Sequence, residues 1–224
     1  MKYISRSIDK TLEEWKESTT HKPLLLRGAR QVGKSSAVRH LGTQFKYFAE
    51  VNFESAKSIA TFFKGDLDVK LISSKISNYI QVPIIPGQTL LFLDEIQACP
   101  EAIMALRFFK EDYPELHVIA AGSLLEFALQ SLPTFGVGRI HSVFMYPMTF
   151  DEFLVAMDMG GLLAMRREAT ATHPLDAPFH DKLVNQFRTY LMVGGMPEAV
   201  ATWRETNDFL KCQQVHQDII LTYE

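Results

Sequence analysis

The sequence predicts an α/β protein: a three-layer α/β/α core built on a mostly parallel five-stranded sheet, followed by a small helical subdomain. Three observations carry this. Short apolar runs alternate with helical patterns over the first 150 or so residues, and the strand signal disappears after Pro147. A glycine-rich segment, Gly28-Ala29-Arg30-Gln31-Val32-Gly33-Lys34-Ser35, sits between the first apolar run and the helical pattern that follows it.

Taken in order, Leu24–Arg27, Tyr47–Phe53, Leu90–Asp94, His117–Ala121 and Ser142–Met145 read as strands from their length and their β-branched or aromatic content. Leu90–Asp94 is wholly apolar until its carboxylate, which suits a strand buried on both faces of a parallel sheet. Ser35–Leu41, Ile59–Phe63, Val69–Tyr79 and Glu101–Asp112 read as the intervening helices, with Pro100 placed to open the last. After Pro147, Phe150–Met157, Asp181–Leu191, Pro197–Thr202 and Asp208–Tyr223 read as helices. Their separators are Gly160-Gly161, a polar stretch ending at Pro178, and Gly194-Gly195. The expected division is a core over residues 1–150 and a helical lid over residues 151–224.

Composition narrows the class. The chain has 224 residues and 47% hydrophobic content, enough for one good-sized domain with an appendage. No apolar stretch approaches the roughly 18 residues needed to cross a bilayer. Polar and charged residues run from the amino terminus through Glu17, so no signal-peptide core is expected, and the reading is a soluble cytoplasmic protein with no membrane partner. Cys99 and Cys212 lie far apart without metal-ligand spacing, and no helical i,i+4 pair occurs among the seven histidines, so no metal site beyond Mg²⁺ is expected. A net charge of −3 gives no overall pull toward nucleic acid.

The glycine-rich segment fits G-x-x-x-x-G-K-[ST], and its chemistry follows from its residue types. Glycines let the backbone wrap a phosphate chain, and the helix behind them adds its positive end. Residues Gly28 to Ser36 are therefore expected to cradle ATP, with Lys34 reaching the terminal phosphates and the Ser35 hydroxyl holding Mg²⁺. This makes the α/β unit a P-loop NTPase core. Asp94, ending a parallel strand beside that loop, is expected to bind Mg²⁺ directly or through water. Glu95 is expected to accept a proton from the attacking water, so Asp94-Glu95 points to hydrolysis. A strand merely ending in solvent-facing charges is the plain alternative.

With Ala120-Ala121-Gly122-Ser123 and Gly138-Arg139 following in this order, the chain resembles the AAA-type ATPases. More narrowly it is similar to prokaryotic ATPases in which such a core precedes a C-terminal domain of unknown function. Leu26-Arg27-Gly28 through Ser35, Leu93-Asp94-Glu95-Ile96-Gln97, Tyr146-Pro147-Met148-Thr149-Phe150-Asp151-Glu152-Phe153 and Gly194-Gly195-Met196-Pro197-Glu198-Ala199 carry the likeness. The resemblance implies that Ser123 is the polar sensor that touches the terminal phosphate or the attacking water. A helix N-cap, with Glu126 three residues on, is an equally good and compatible reading. It implies that Arg139, after Gly136 and Gly138, is an arginine finger acting within or between subunits; a surface arginine paired to a carboxylate is the alternative. It also implies that Pro197 packs by the adenine, against the plainer reading of a proline opening a helix.

Arg6 matches a recurrent arginine of such proteins but reads better as a solvated side chain, and Arg27, Arg30 and Arg39 read as loop and helix solvation. The sequence ends at Glu224 within a helical pattern, where such proteins continue, so a protein or DNA partner reached through further sequence is one expectation and a homo-oligomer another. The functional expectation is a Mg²⁺-dependent ATPase. A nucleotide-controlled switch with little turnover is the alternative, and a small-molecule kinase a weaker third.

Overall fold

All five apolar runs pair in parallel in one sheet, in the spatial order second, third, fourth, first, fifth. The computed structural model describes residues 3–123, 125 and 138–223. The strands are β1 (Leu24–Arg27), β2 (Tyr47–Asn52), β3 (Thr89–Asp94), β4 (His117–Ala121) and β5 (His141–Phe144). Helices α1 (Ser7–Glu17), α2 (Lys34–Gly42), α3 (Val69–Ile80) and α4 (Pro100–Asp112) accompany them, with a 3₁₀ helix at Lys57–Phe63. Every residue of β3 is buried, as expected of a central parallel strand covered on both faces. Leu91, Leu93, Val118 and Ala120 meet Ile72, Ile76, Ile103 and Leu106 in one apolar core.

The remaining helices are α5 (Phe150–Ala156), α6 (Gly160–Glu168), α7 (Ala177–Val193), α8 (Pro197–Thr206) and α9 (Phe209–Leu221). Met148, Phe153, Val193, Val200 and Cys212 form their buried centre. No helix among the described residues is long and apolar enough to cross a membrane. The expected helix over residues 124–130, with its Glu126 capping box, and Gly136 lie outside the described residues.

The structure corrects several expectations. Phe53 leaves the strand after Asn52: its N–H still donates to the Asp94 carbonyl at 3.1 Å, but its ring turns inward to meet Phe63 edge to face. Met145 likewise follows β5 rather than ending it. Gly160-Gly161 does not separate helices but opens α6, because Asp158, at φ 57°, makes the reversal instead. Pro178 stands in the first turn of α7, where its missing N–H costs nothing, so that helix begins earlier than expected.

The chain divides into two compact units, Ile8–Met145 and a helical unit made of Tyr146–Glu224 with Met1–Ser7. The helical unit thus includes the first seven residues of the chain, and Glu152 ties them to it. Its Oε1 accepts from Arg6 Nε at 3.0 Å, Ser7 N at 2.7 Å and Ser7 Oγ at 2.8 Å, while Oε2 accepts from Thr149 N at 2.8 Å. Arg6 is thus a buried ion-pair partner, not a solvated side chain. Burial pushes the Glu152 carboxyl up, but the Ser7 and Thr149 donors and Arg6 outweigh it and hold it below the usual 4.5.

A carboxylate depressed in this way contributes stability that is fully present above pH 4.5 and is lost as pH falls through its folded value. Glu152→Ala is expected to destabilise the helical unit by about 3–5 kcal/mol, since it leaves a buried guanidinium without its counter-charge and two amides without their acceptor. Denaturant unfolding at pH 7 and pH 4 checks both statements. Equal loss in the variant at both pH values, or none at pH 7, would contradict them.

Candidate nucleotide site

Parallel pairing puts the carboxyl ends of β1, β4 and β3 side by side, with Leu26 opposite Ala121 and Leu93 opposite Ala120. The chain leaves β1 for the far strands β2 and β3, returns through β4 and crosses to β5, so the strand order reverses at β1. Open parallel sheets bind ligands in the crevice at such a point.

The loop after β1 is shaped by positive φ angles at Gly28 (140°), Gln31 (62°) and Gly33 (97°). A Cβ at Gly28 would collide with the Met145 carbonyl oxygen, so only glycine lets the loop leave the strand there. Val32 is fully buried and pins the loop, while Ala29, Arg30, Gln31 and Ser36 are exposed. No side chain caps α2 at Gly33, so its first-turn N–H groups are suited to an anion.

Lys34 is buried, and its Nζ donates to the Gly28 and Ala29 carbonyls at 2.9 and 2.7 Å. Burial lowers its pKa, against the pull of Glu95 and Asp94. Ser35 Oγ donates to Asp94 Oδ2 at 2.9 Å, and Asn52 Nδ2 approaches the same oxygen at 3.5 Å. Burial pushes the Asp94 carboxyl up; Ser35 opposes the shift and Glu95 adds to it. A buried carboxylate beside a hydroxyl, with a second carboxylate adjacent, is an all-oxygen donor set of the kind that suits Mg²⁺.

Glu95 follows with a left-handed backbone (φ 50°, ψ 45°), an uncommon conformation for a residue with a Cβ. Its Oε2 accepts from Gln97 Nε2 at 2.6 Å. Ser123, buried after β4, has its hydroxyl 3.4 Å from Arg30 Nε. Residues Gly28 to Ser36, Asp94, Glu95 and Ser123 thus all lie at the carboxyl-end side of the sheet's inner strands.

Arg139 is ion-paired to Glu111 of α4, and Pro197 opens α8 in the helical unit. The Gly194-Gly195 turn is anchored within that unit, where Met148 N donates to the Gly195 carbonyl at 2.6 Å. Three arginines expected to be solvated have partners. Arg27 lies over the Phe144 ring at 4.5 Å, Arg30 reaches Ser123, and Arg39 forms a forked pair with Glu50. Asn52 and Gln97 were not singled out by sequence reasoning; Gln97 figured there only as the end of a motif.

A phosphate loop on an inner strand of a parallel sheet, with an Asp-Glu pair one strand removed, defines a P-loop ATPase of AAA type. Residues 20–154, more than half of the chain, match the AAA domain family, and the chain belongs to it. No curated protein matches the chain. Among solved structures it is similar to C. elegans PCH-2, at 14% identity and a TM-score of 0.47 over 92% of this chain and 64% of that one. It is also similar to Drosophila ORC bound to DNA, at 14% identity and a TM-score of 0.51 over 88% of this chain and 58% of that one. The chain spans less than two thirds of either protein, and at such identity the second likeness shows the fold alone.

Proposed function

We propose that the chain binds ATP with Mg²⁺ and hydrolyses it to ADP and phosphate, coupling turnover to a partner. The observation that carries this is the Glu95 carboxylate, which interacts electrostatically with both Lys34 of the loop and the Asp94 that accepts from Ser35. The loop amides and the start of α2 bind the phosphates, and Lys34 gives up its two carbonyls for the outer ones. Ser35 and Asp94 would hold Mg²⁺, which when bound would neutralise charge on the terminal phosphates. Glu95 takes the proton of the attacking water, and the Ser123 hydroxyl donates to a phosphoryl oxygen.

The resemblance also supports Pro197 beside the adenine, and a cytoplasmic setting suits two buried thiols, one of them, Cys99, pushed up to about 11 by burial. Phosphate release by the full chain with Mg²⁺, with EDTA, and without nucleotide tests the proposal. Release that ignores EDTA overturns it, and tight ADP binding without release would favour the nucleotide-controlled switch.

Arg139 serves as a finger for a neighbouring subunit in this proposal, which requires it to exchange Glu111 for phosphate. The rate per molecule should then rise with protein concentration. Mixing Arg139→Ala with Lys34→Ala chains should recover activity that neither has alone. A concentration-independent rate with no recovery would leave Arg139 to its pair with Glu111.

A further inference from the structure

We propose that Gln97 is a positioning residue for the hydrolytic step, holding the Glu95 carboxylate through its side-chain amide, and that Gly122 is glycine to make room for it. Gln97 Nε2 donates to Glu95 Oε2 at 2.6 Å, while Gln97 Oε1 is buried with no hydrogen-bond partner. Turning the amide over would aim its oxygen at a carboxylate and bury its two N–H donors instead, so the observed orientation is the one the chemistry allows. A buried carbonyl left unpaired is unfavourable, and a methionine of the same length would avoid it. What a glutamine adds at this position is the donor to Glu95.

The other end of that amide touches the sheet. A Cβ built on Gly122 would collide with Gln97 Oε1, and nothing in the backbone of Gly122 requires a glycine, since its φ is not positive. The missing side chain after β4 is therefore space for the Gln97 amide. Among the described residues Gln97 is the only side chain that hydrogen-bonds the Glu95 carboxylate. Glu95 rests on a backbone in the left-handed region, and the hydrogen bond from Gln97 is what holds its carboxylate.

The inference rests on the hydrolytic reading, and its test separates the two. Gln97→Met and Gly122→Ala are each expected to lower kcat about tenfold while KM for ATP and Kd for ADP stay within about twofold. The two changes should not compound, because each removes the same amide from the same carboxylate. In a Glu95→Gln background Gln97→Met should lower the residual rate by less than twofold. A full tenfold loss there would mean that Gln97 does not act through Glu95, and an unchanged kcat in either single variant would equally overturn the proposal.

A second measurement does not depend on turnover. The Gln97 side-chain amide resonances, assigned by their loss in Gln97→Met, should move in Glu95→Ala and in Gly122→Ala. Resonances that ignore both substitutions overturn the pairing. Absence of phosphate release from the wild-type chain overturns the hydrolytic reading and Gln97's part in it, even where the amide signals confirm the pair.

Discussion

Lys34→Ala should abolish detectable ATP hydrolysis and weaken ATP binding by two orders of magnitude or more. Lys34 is almost fully buried, and its ammonium is the cation that faces Asp94 and Glu95. Without it, two carboxylates and two loop carbonyls meet an incoming triphosphate with no neighbouring ammonium to offset the repulsion. Breaking a buried charge pair on one side costs about 3–5 kcal/mol, which is a factor of roughly 10² to a few times 10³ in affinity. The loop should survive, because Gly28 is fixed by the close approach of Met145 and Val32 is buried independently of the lysine. Calorimetric titration with ATP and ADP, beside phosphate release, measures both halves. Turnover at the wild-type level would remove Lys34, and with it the loop, from the site.

Local signals account for what the sequence revealed. The phosphate loop and Asp94-Glu95 are written in consecutive residues, and β3 announces itself as an unbroken apolar run that the sheet buries completely. α1 went unread because its sequence is mostly charged. Only Ile8, Leu12 and Trp15, spaced four and three apart, carry its buried stripe. The tie of the first seven residues to the helical unit is not legible in the sequence for a different reason. Arg6 and Glu152 are 146 positions apart, and no spacing rule joins them.

The same limit applies inside the site. Gln97 and Gly122 meet because β3 and β4 pair in a particular register, and sequence order does not encode which glycine will face which amide. His21 and His117 also stack, with ring centroids 3.9 Å apart, although neither has a helical i,i+4 partner. Arg139 shows the converse: its place after Gly138 suggested a finger, while its pair with Glu111 of α4 needed the fold.

Glu95→Gln should lower the hydrolytic rate by roughly 10²-fold or more while leaving Mg²⁺–ATP affinity within several-fold. The substitution removes basicity and little else. A glutamine at position 95 can still accept from Gln97 Nε2 through its own carbonyl oxygen, so the side chain stays where the carboxylate was. The Ser35–Asp94 contact at 2.9 Å is untouched, and so is Lys34, which keeps the groups that bind phosphate and metal in place. Asp94→Asn should behave in the opposite way, losing Mg²⁺-dependent affinity first, because Asp94 is the carboxylate paired with Ser35. Stopped-flow phosphate release beside equilibrium binding of a fluorescent ATP analogue separates the two. If Glu95→Gln lost affinity and kept its rate, the two carboxylates would have to exchange roles. Glu95 would then be the metal ligand, and the amide of Gln97 would orient a ligand in place of a base.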